Sequence, residues 1–433
     1  MVITQDSQNS HKWMYATFPG SIAYGPVSTI VILYILSIGG NVIDASFAIT
    51  LGSALAIPAA YFWGRMVDRF NNKKSMIILS YAGLAFLLVA MFFTANILVV
   101  ILLYGALSFV ISANATPLNM LVMENSPEDK WPEMFSKFQF IVSLGGGLGF
   151  ALSTALLEFV PIKFLPMMFG LVAIPSIVMS VILIYEPRRT LSRRLMLSNI
   201  HSFIARIMMQ PVLLVSTPKI SVFKIIFNIG TKMHRPKSYL SALYLAIFAF
   251  FISSGLFNTA YPVGLKDIGL TEFTIFLIIT IGIFIQVFTF AYFGNYVAKR
   301  IKTRMLPNAI LLRGGSYIAI AFIFLTFTKF SGFVILNIVL YAIGAGLAYS
   351  LYYTASNTLV FEAIGTEHRA SKLGIYTSLI SVSFLVGALL AGYISYYFGY
   401  SVSFVVAGLL LVASAFIFED ASSKLNTSAI VKQ

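Results

Sequence analysis

Twelve apolar runs, each near the length of a membrane crossing, break up this chain: residues 15–38, 45–63, 75–94, 97–121, 138–157, 165–185, 239–262, 272–293, 305–328, 332–357, 371–394 and 400–418. A helix needs about 20 residues to cross roughly 30 Å of hydrocarbon. Lipid offers no water to a backbone amide or carbonyl, so a spanning segment is a helix or part of a closed barrel, and continuous runs of this length are helices. Composition agrees. Hydrophobic residues make up 59% of the chain and charged residues 10%, with a mean hydropathy of +0.89, which leaves too little polar material to cover a water-facing surface.

The runs fall into two related sets of six. At an offset of 230 residues, Gly25 falls on Gly255, Thr29 on Thr259, Gly39 on Gly269 and Gly64 on Gly294. At an offset of 238, Asn119, Leu121, Val122 and Glu124 fall on Asn357, Leu359, Val360 and Glu362, so an eight-residue insertion in the second copy reconciles the two registers. A long fixed period of this kind describes a duplicated molecule. The expected fold is an all-α integral membrane protein of twelve transmembrane helices in two pseudo-symmetric six-helix bundles, residues 1–185 and 238–433, joined by a connector over 186–237.

Charge placement orients it. Of the 29 Lys and Arg residues, all but Lys163, Lys266, Lys329 and Arg313 fall in loops and tails on the side of the N-terminus. That is the positive-inside bias, and it accounts for the net charge of +14 without a nucleic-acid partner. Both termini are expected in the cytoplasm, in a multi-pass protein of the plasma membrane, and as a monomer. Only Asp6 and Lys12 are charged ahead of a first run too long for a cleavable signal. With zero Cys the chain has no disulfide, thiolate metal site or cysteine nucleophile, and no cofactor or metal is expected. After Glu186 the connector carries ten Lys/Arg and no acid. Its Leu197, Ile200, Ile204 and Ile207 share a helical face beside Arg193, Arg194 and Arg206, which suits a helix lying on an anionic inner leaflet; a solvated linker is the alternative.

Between the second and third runs stands a basic turn, Gly64-Arg65-Met66-Val67-Asp68-Arg69-Phe70-Asn71-Asn72-Lys73-Lys74, with a degenerate copy from Gly294 to Arg304 between runs eight and nine. This Gly-x-x-x-Asp-Arg-Phe-x-x-Lys-Lys signature in that loop, with six plus six spans and a long basic connector, resembles the major facilitator superfamily over essentially the whole chain. The resemblance implies that the loop gates the inner face, with Asp68 and Arg69 as the gating pair. Gly64 is expected to give a tight helix exit and close approach of a neighbour. The second copy keeps Gly294 but has Ala298 in place of the aspartate, so the gate charge is one-sided. Glu362 and Arg369, seven residues apart, are similar to the acid-and-Arg pattern that accompanies the gate; the first half keeps Glu124 but has Trp131 at the Arg position. Run five holds Gly145-Gly146-Gly147-Leu148-Gly149-Phe150-Ala151-Leu152-Ser153-Thr154, similar to the family's antiporter motif but with Phe150 for its proline and Ser153-Thr154 for its last glycines, and helix packing is the expected role.

What the spans lack is as informative. All fifteen acids and four His residues lie in loops, tails or span ends, so no carboxylate or imidazole stands at mid-depth to couple transport to protons in the usual way. The remaining titratable candidates are Asp44, Asp68 and Glu362. Arg313 is the one intramembrane charge, read as a snorkelling or structural residue with an anion or relay role as the alternative. By resemblance, runs one, four, seven and ten line the cavity. There the chain offers Tyr24, Asn114, Asn119, Asn258, Tyr261, Tyr349, Tyr352, Tyr353 and Asn357, joined by Gln286 and Tyr376. Amides and phenols supply donors and acceptors without charge, and rings supply apolar area.

No nucleophile, metal cluster or acid pair stands at depth, which argues against a membrane-embedded enzyme. The sequence reading is a secondary transporter that moves a small organic solute by alternating access, with efflux of neutral or amphipathic compounds. An uptake facilitator for a neutral metabolite, or a substrate sensor on the same scaffold, is the alternative.

Overall fold

The computed structural model describes residues 12–70, 72–125, 131–184, 239–296, 302–326, 331–364 and 369–430; the connector, with its expected surface helix, lies outside them. Twelve helical spans follow in chain order: span one Lys12–Ser37, two Val42–Val67, three Lys73–Phe92, four Ile97–Val122, five Lys137–Leu156, six Ile162–Leu183, seven Leu243–Asp267, eight Glu272–Phe293, nine Met305–Thr326, ten Phe333–Asn357, eleven Ser378–Phe398 and twelve Tyr400–Glu419. An even number of crossings brings the start of span one and the end of span twelve to the same side, here the terminal face; the other is the distal face.

The duplication read from sequence is a duplication of packing. Span one lies on five and six, two on four, and three on six; in the second half seven lies on eleven and twelve, eight on ten, and nine on twelve. The bundles meet through span two against eleven and span five against eight, a pair of contacts that the pseudo-twofold exchanges. Large apolar side chains such as Phe86, Ile182, Phe322 and Leu325 stand exposed, as residues solvated by lipid do.

Matched turns explain the matched glycines. Gly39 and Gly269 end spans one and seven at φ 92° and 96°, a left-handed conformation that is costly with a Cβ. Two residues on, Asn41 Oδ1 accepts from the Ile43 and Asp44 amides, and in the second copy Thr271 Oγ1 accepts from the Thr274 amide, so each following helix starts on a side-chain cap. Asp44 reciprocates by accepting from the Asn41 amide at 2.9 Å. A capping role therefore accounts for this carboxylate at the distal mouth.

Glycine also sets the helix crossings. A Cβ built on Gly149 of span five would lie 2.2 Å from the Ile22 carbonyl oxygen of span one, and one built on Gly387 of span eleven 2.1 Å from the Ile252 carbonyl oxygen of span seven. Ile22 and Ile252 are 230 apart, Gly149 and Gly387 238, the two offsets of the duplication. A Cβ on Gly25 would lie 2.6 Å from the Gly146 Cα, which gives the glycines of run five the packing role expected of them.

Three spans are interrupted. Span one passes from Phe18–Tyr24 to Val27–Ser37 across Gly25-Pro26, span four carries a 3-10 turn at Ser112–Asn114, and span ten a π-helical stretch over Ala342–Ala348. Pro26 has no amide to continue the first helix. In span ten, Gly344 faces Ser316 and Tyr317 of span nine and Gly346 the Gly282 carbonyl of span eight, so the wide turn is wedged between two neighbours.

Candidate functional site

Contacts between the halves gather toward the distal face. Thr154 and Thr280 hydroxyls share a hydrogen bond of 2.9 Å, Phe150 and Phe276 rings lie 5.9 Å apart, and Phe47 meets Tyr393 edge-on at 6.5 Å. A Cβ on Gly392 would stand 2.7 Å from that of Ser46, and one on Gly147, nearer mid-depth, 3.3 Å from Ile283. Thr154 closes the glycine-rich motif of run five, whereas Thr280 carried no expectation from the sequence; a hydroxyl within an otherwise apolar run was the available signal.

Toward mid-depth the interior opens. From Phe251 to Leu265, span seven is buried at every residue except Ile252 and Asn258, and Asn258 is exposed. An exposed amide on a helix enclosed by spans one, two, eleven and twelve marks the space between the halves. Tyr24, just before the break in span one, is 41% exposed and neighbours Tyr104 of span four. Asn119 is exposed, and Gln286, Tyr349, Tyr353 and Asn357 are partly so. The Tyr353 ring lies 5.9 Å from that of Tyr349 and meets Phe290 of span eight edge-on at 5.8 Å.

Four of the expected cavity residues point elsewhere. Tyr261 is buried within the second bundle, its hydroxyl donating to Asn337 Oδ1 at 3.1 Å and its ring stacked on Phe257 and Tyr341. Tyr352 lies face to face with Phe250, ring centroids 3.4 Å apart, and Tyr376 donates to Asn357 Oδ1 at 2.9 Å. Asn114 closes the 3-10 turn of span four and neighbours Tyr81 of span three. Rings so placed contribute packing area between helices rather than a face to a solute.

The gating turn is tighter than its sequence suggests. The second helix continues to Phe70 and the third begins at Lys73, where Asn72 caps it by accepting from the Ser75 amide at 3.0 Å. Gly64 is thus interior to a helix rather than at its exit, and among the described residues a Cβ there would meet nothing within 4 Å. Lys73, within the motif, pairs with Glu124 at 2.6 Å and ties the end of span four to the start of three. Asp68 and Glu362 lie near the ends of the helices Val42–Phe70 and Tyr349–Ile364, beside Arg69 in the first, and Arg369 opens Arg369–Phe398; the side chains of all four lie outside the described residues. Gly294 stands two residues from the end of Glu272–Tyr296.

Arg313 does not snorkel. It is 2% exposed, about 12 Å from the start of span nine by helical rise, and points into the second bundle. Its guanidinium carbon stands 4.7 Å from the Phe250 ring centroid, 4.9 Å from Tyr349 and 5.3 Å from Tyr317, and Nε donates to the Tyr317 hydroxyl at 2.7 Å. Nη1 is buried with no hydrogen-bond partner.

Two six-helix bundles, joined by span pairs two–eleven and five–eight around a polar interior space, define a carrier of the twelve-span class. The Major Facilitator Superfamily model matches residues 14–353 and 243–431, and the chain belongs to that family. No curated protein matches the chain in sequence. Among solved structures it is similar to a POT family transporter in complex with 5-aminolevulinic acid (TM-score 0.71, 16% identity, 96% of each chain covered). It is also similar to a POT family transporter in complex with a thioalcohol-conjugated peptide (TM-score 0.70, 14% identity, 96% of each chain covered). A D-xylose–proton symporter gives a TM-score of 0.69 at 14% identity over 94% of this chain and 96% of that one. At such identities the likeness is one of fold. The protein is a multi-pass membrane transporter of small solutes, not an enzyme.

Proposed function

We propose that the protein works by alternating access, with both termini in the cytoplasm of a cell whose plasma membrane it spans, and exports a small amphipathic or neutral organic solute. The observation that carries this is the closure of the distal face among the described residues. Described contacts between the halves lie in the distal part of the bundle, while Asn258, Tyr24 and Asn119 stay exposed on spans that line the interior. A carrier sealed at the distal face and accessible from the terminal face is in one of the two states a rocking mechanism needs, and solute binding would shift it toward the other.

Tyr24, Asn258, Gln286, Tyr349 and Tyr353 present amide, phenol and ring surfaces, which suit a solute with an apolar body and a few polar atoms. The neighbours were crystallised with 5-aminolevulinic acid and a thioalcohol-conjugated peptide, but at 14–16% identity these ligands do not choose a substrate for this chain. A thermal-shift screen of the purified protein against metabolites and drugs, followed by flux of each hit in proteoliposomes, tests the reading, because a ligand selective for the folded state raises its stability. Hits that bind but never cross the bilayer would leave a sensor on a carrier scaffold.

A further inference from the structure

Arg313 is the one charged residue in the described membrane interior that turns away from both faces. An arginine stays protonated when buried, and a charge taken out of water is expensive unless it is paired. Here the described surroundings offer aromatic faces and one hydrogen-bonding phenol, that of Tyr317, but no carboxylate. The Phe250 and Tyr349 rings, 6.4 Å apart and inclined by 26°, flank the guanidinium, and the Phe250–Tyr352 stack extends the column. Cation–π contact offsets part of the cost. It does not supply a counter-charge, and Nη1 remains an unused buried donor, as does the Tyr352 hydroxyl one ring away.

The cage stands next to the space between the halves. Tyr349, which covers the guanidinium on one side, is only partly buried and adjoins Tyr353, also partly exposed, whose ring meets Phe290 of span eight. Tyr349 also follows directly on the π-helical stretch Ala342–Ala348, wedged between spans eight and nine. Tyr349 therefore stands between the guanidinium and the space between the halves, on a helix whose wide turn gives it room to move.

Resting on the transport reading above, we infer that Arg313 is the counter-charge for an anionic solute: the amphipathic compound carries one carboxylate, held against the Arg313 guanidinium beside Tyr349 and Tyr353, with its apolar body among the rings. In a cavity whose other described side chains are neutral, this one cation decides between an acid and its uncharged analogue, because removing a group that answers a buried charge leaves the charge unpaired.

Matched probes test it. 3-Phenylpropionate and 3-phenylpropanamide, and octanoate and octanamide, differ within each pair only in charge and its hydrogen-bonding group. In thermal unfolding of the purified full-length protein, the acids should raise the midpoint by about 2–4 °C at saturating concentration and the amides by clearly less. Arg313→Lys should keep the preference for acids, whereas Arg313→Gln should weaken acid binding about tenfold or more and leave amide binding unchanged. Amides that stabilise the wild type as well as the acids do, no stabilisation by either acid, or an acid preference that survives in Arg313→Gln would overturn the inference. Should Arg313→Gln give no cooperative transition, Arg313→Lys and the wild type decide alone: loss of acid preference in Arg313→Lys counts against it. Flux above that of protein-free liposomes, which the uncharged amides and protonated acids also cross, separates the two readings. An acid that binds but does not cross proteoliposome membranes refutes transport and leaves the anion site standing, while amides that cross when acids do not refute the site and leave transport standing.

Discussion

The paired glycine crossings make a quantitative prediction about stability. Alanine at Gly387 places a methyl 2.1 Å from the Ile252 carbonyl oxygen and 2.9 Å from the Leu256 amide nitrogen, both backbone atoms of span seven. Ordinary contact begins near 3.4 Å, so the helices must part by more than an ångström along the crossing of spans seven and eleven. Overpacking of this kind costs about 1–3 kcal/mol. At about 1 °C per kcal/mol for a chain of this size, the unfolding midpoint should fall by about 1–3 °C. Gly149→Ala should behave alike, since its methyl would meet the Ile22 carbonyl oxygen at 2.2 Å. Gly64→Ala and Gly315→Ala are the controls. At both positions a Cβ meets nothing within 4 Å, and alanine's helix propensity favours the variant by up to about 1 kcal/mol. Intrinsic fluorescence of the three Trp residues during heating in detergent reads all four variants. Wild-type midpoints for Gly387→Ala and Gly149→Ala, or an equal loss for Gly64→Ala, would refute the packing argument.

Other perturbations address the mechanism. Thr154→Val deletes the hydroxyl pair that bridges spans five and eight, a bond worth about 0.5–1.5 kcal/mol, and should favour opening of the distal face by about 2–10-fold; a thiol reagent added from that side then reaches Asn258→Cys correspondingly faster, and an unchanged rate would dismiss the bond as part of the gate. Asp68→Asn should leave expression and unfolding unaltered while slowing flux of any identified substrate at least tenfold, as expected if the carboxylate bonds in only one conformation; wild-type flux would remove it from the gate. Single cysteines at Asn72 and at Lys266 should label from opposite sides of the membrane, the first only from the cytoplasm, and labelling of both from one side would undo the topology.

Much of the architecture was legible because its causes are local. Hydropathy alone locates a span, since the bilayer acts on each run separately. The recurrences Gly39/Gly269 and Gly25/Gly255 were visible because a left-handed turn and a close crossing each exclude a Cβ. Direction around a helix was not legible. Tyr24 and Tyr261 are both aromatic residues on expected cavity spans, yet one is exposed and the other packs against Asn337, a choice made by helices far away in sequence. Arg313 illustrates the same limit: from sequence a snorkelling arginine and a caged one look identical, and only Phe250 and Tyr349, brought in by spans seven and ten, distinguish them. At Gly64 the motif suggested a turn that the continuing helix does not make.

The central claim, that one interior space is reached from the two faces in turn, can be tested without knowing the substrate. The chain has no native Cys, so every thiol in the variants is an introduced one. Ser46→Cys with Gly392→Cys places two Cβ atoms 2.7 Å apart at the distal end of spans two and eleven, and a small outward adjustment reaches the separation of about 3.8 Å that a disulfide prefers. Oxidation should therefore lock the distal face shut. With Asn258→Cys as reporter and an impermeant thiol reagent applied to either side of sealed vesicles, the account predicts labelling from both sides before cross-linking, and from the terminal face alone afterwards. Labelling of Asn258→Cys from the distal side through the locked interface, or failure to label from that side even without the lock, would contradict it.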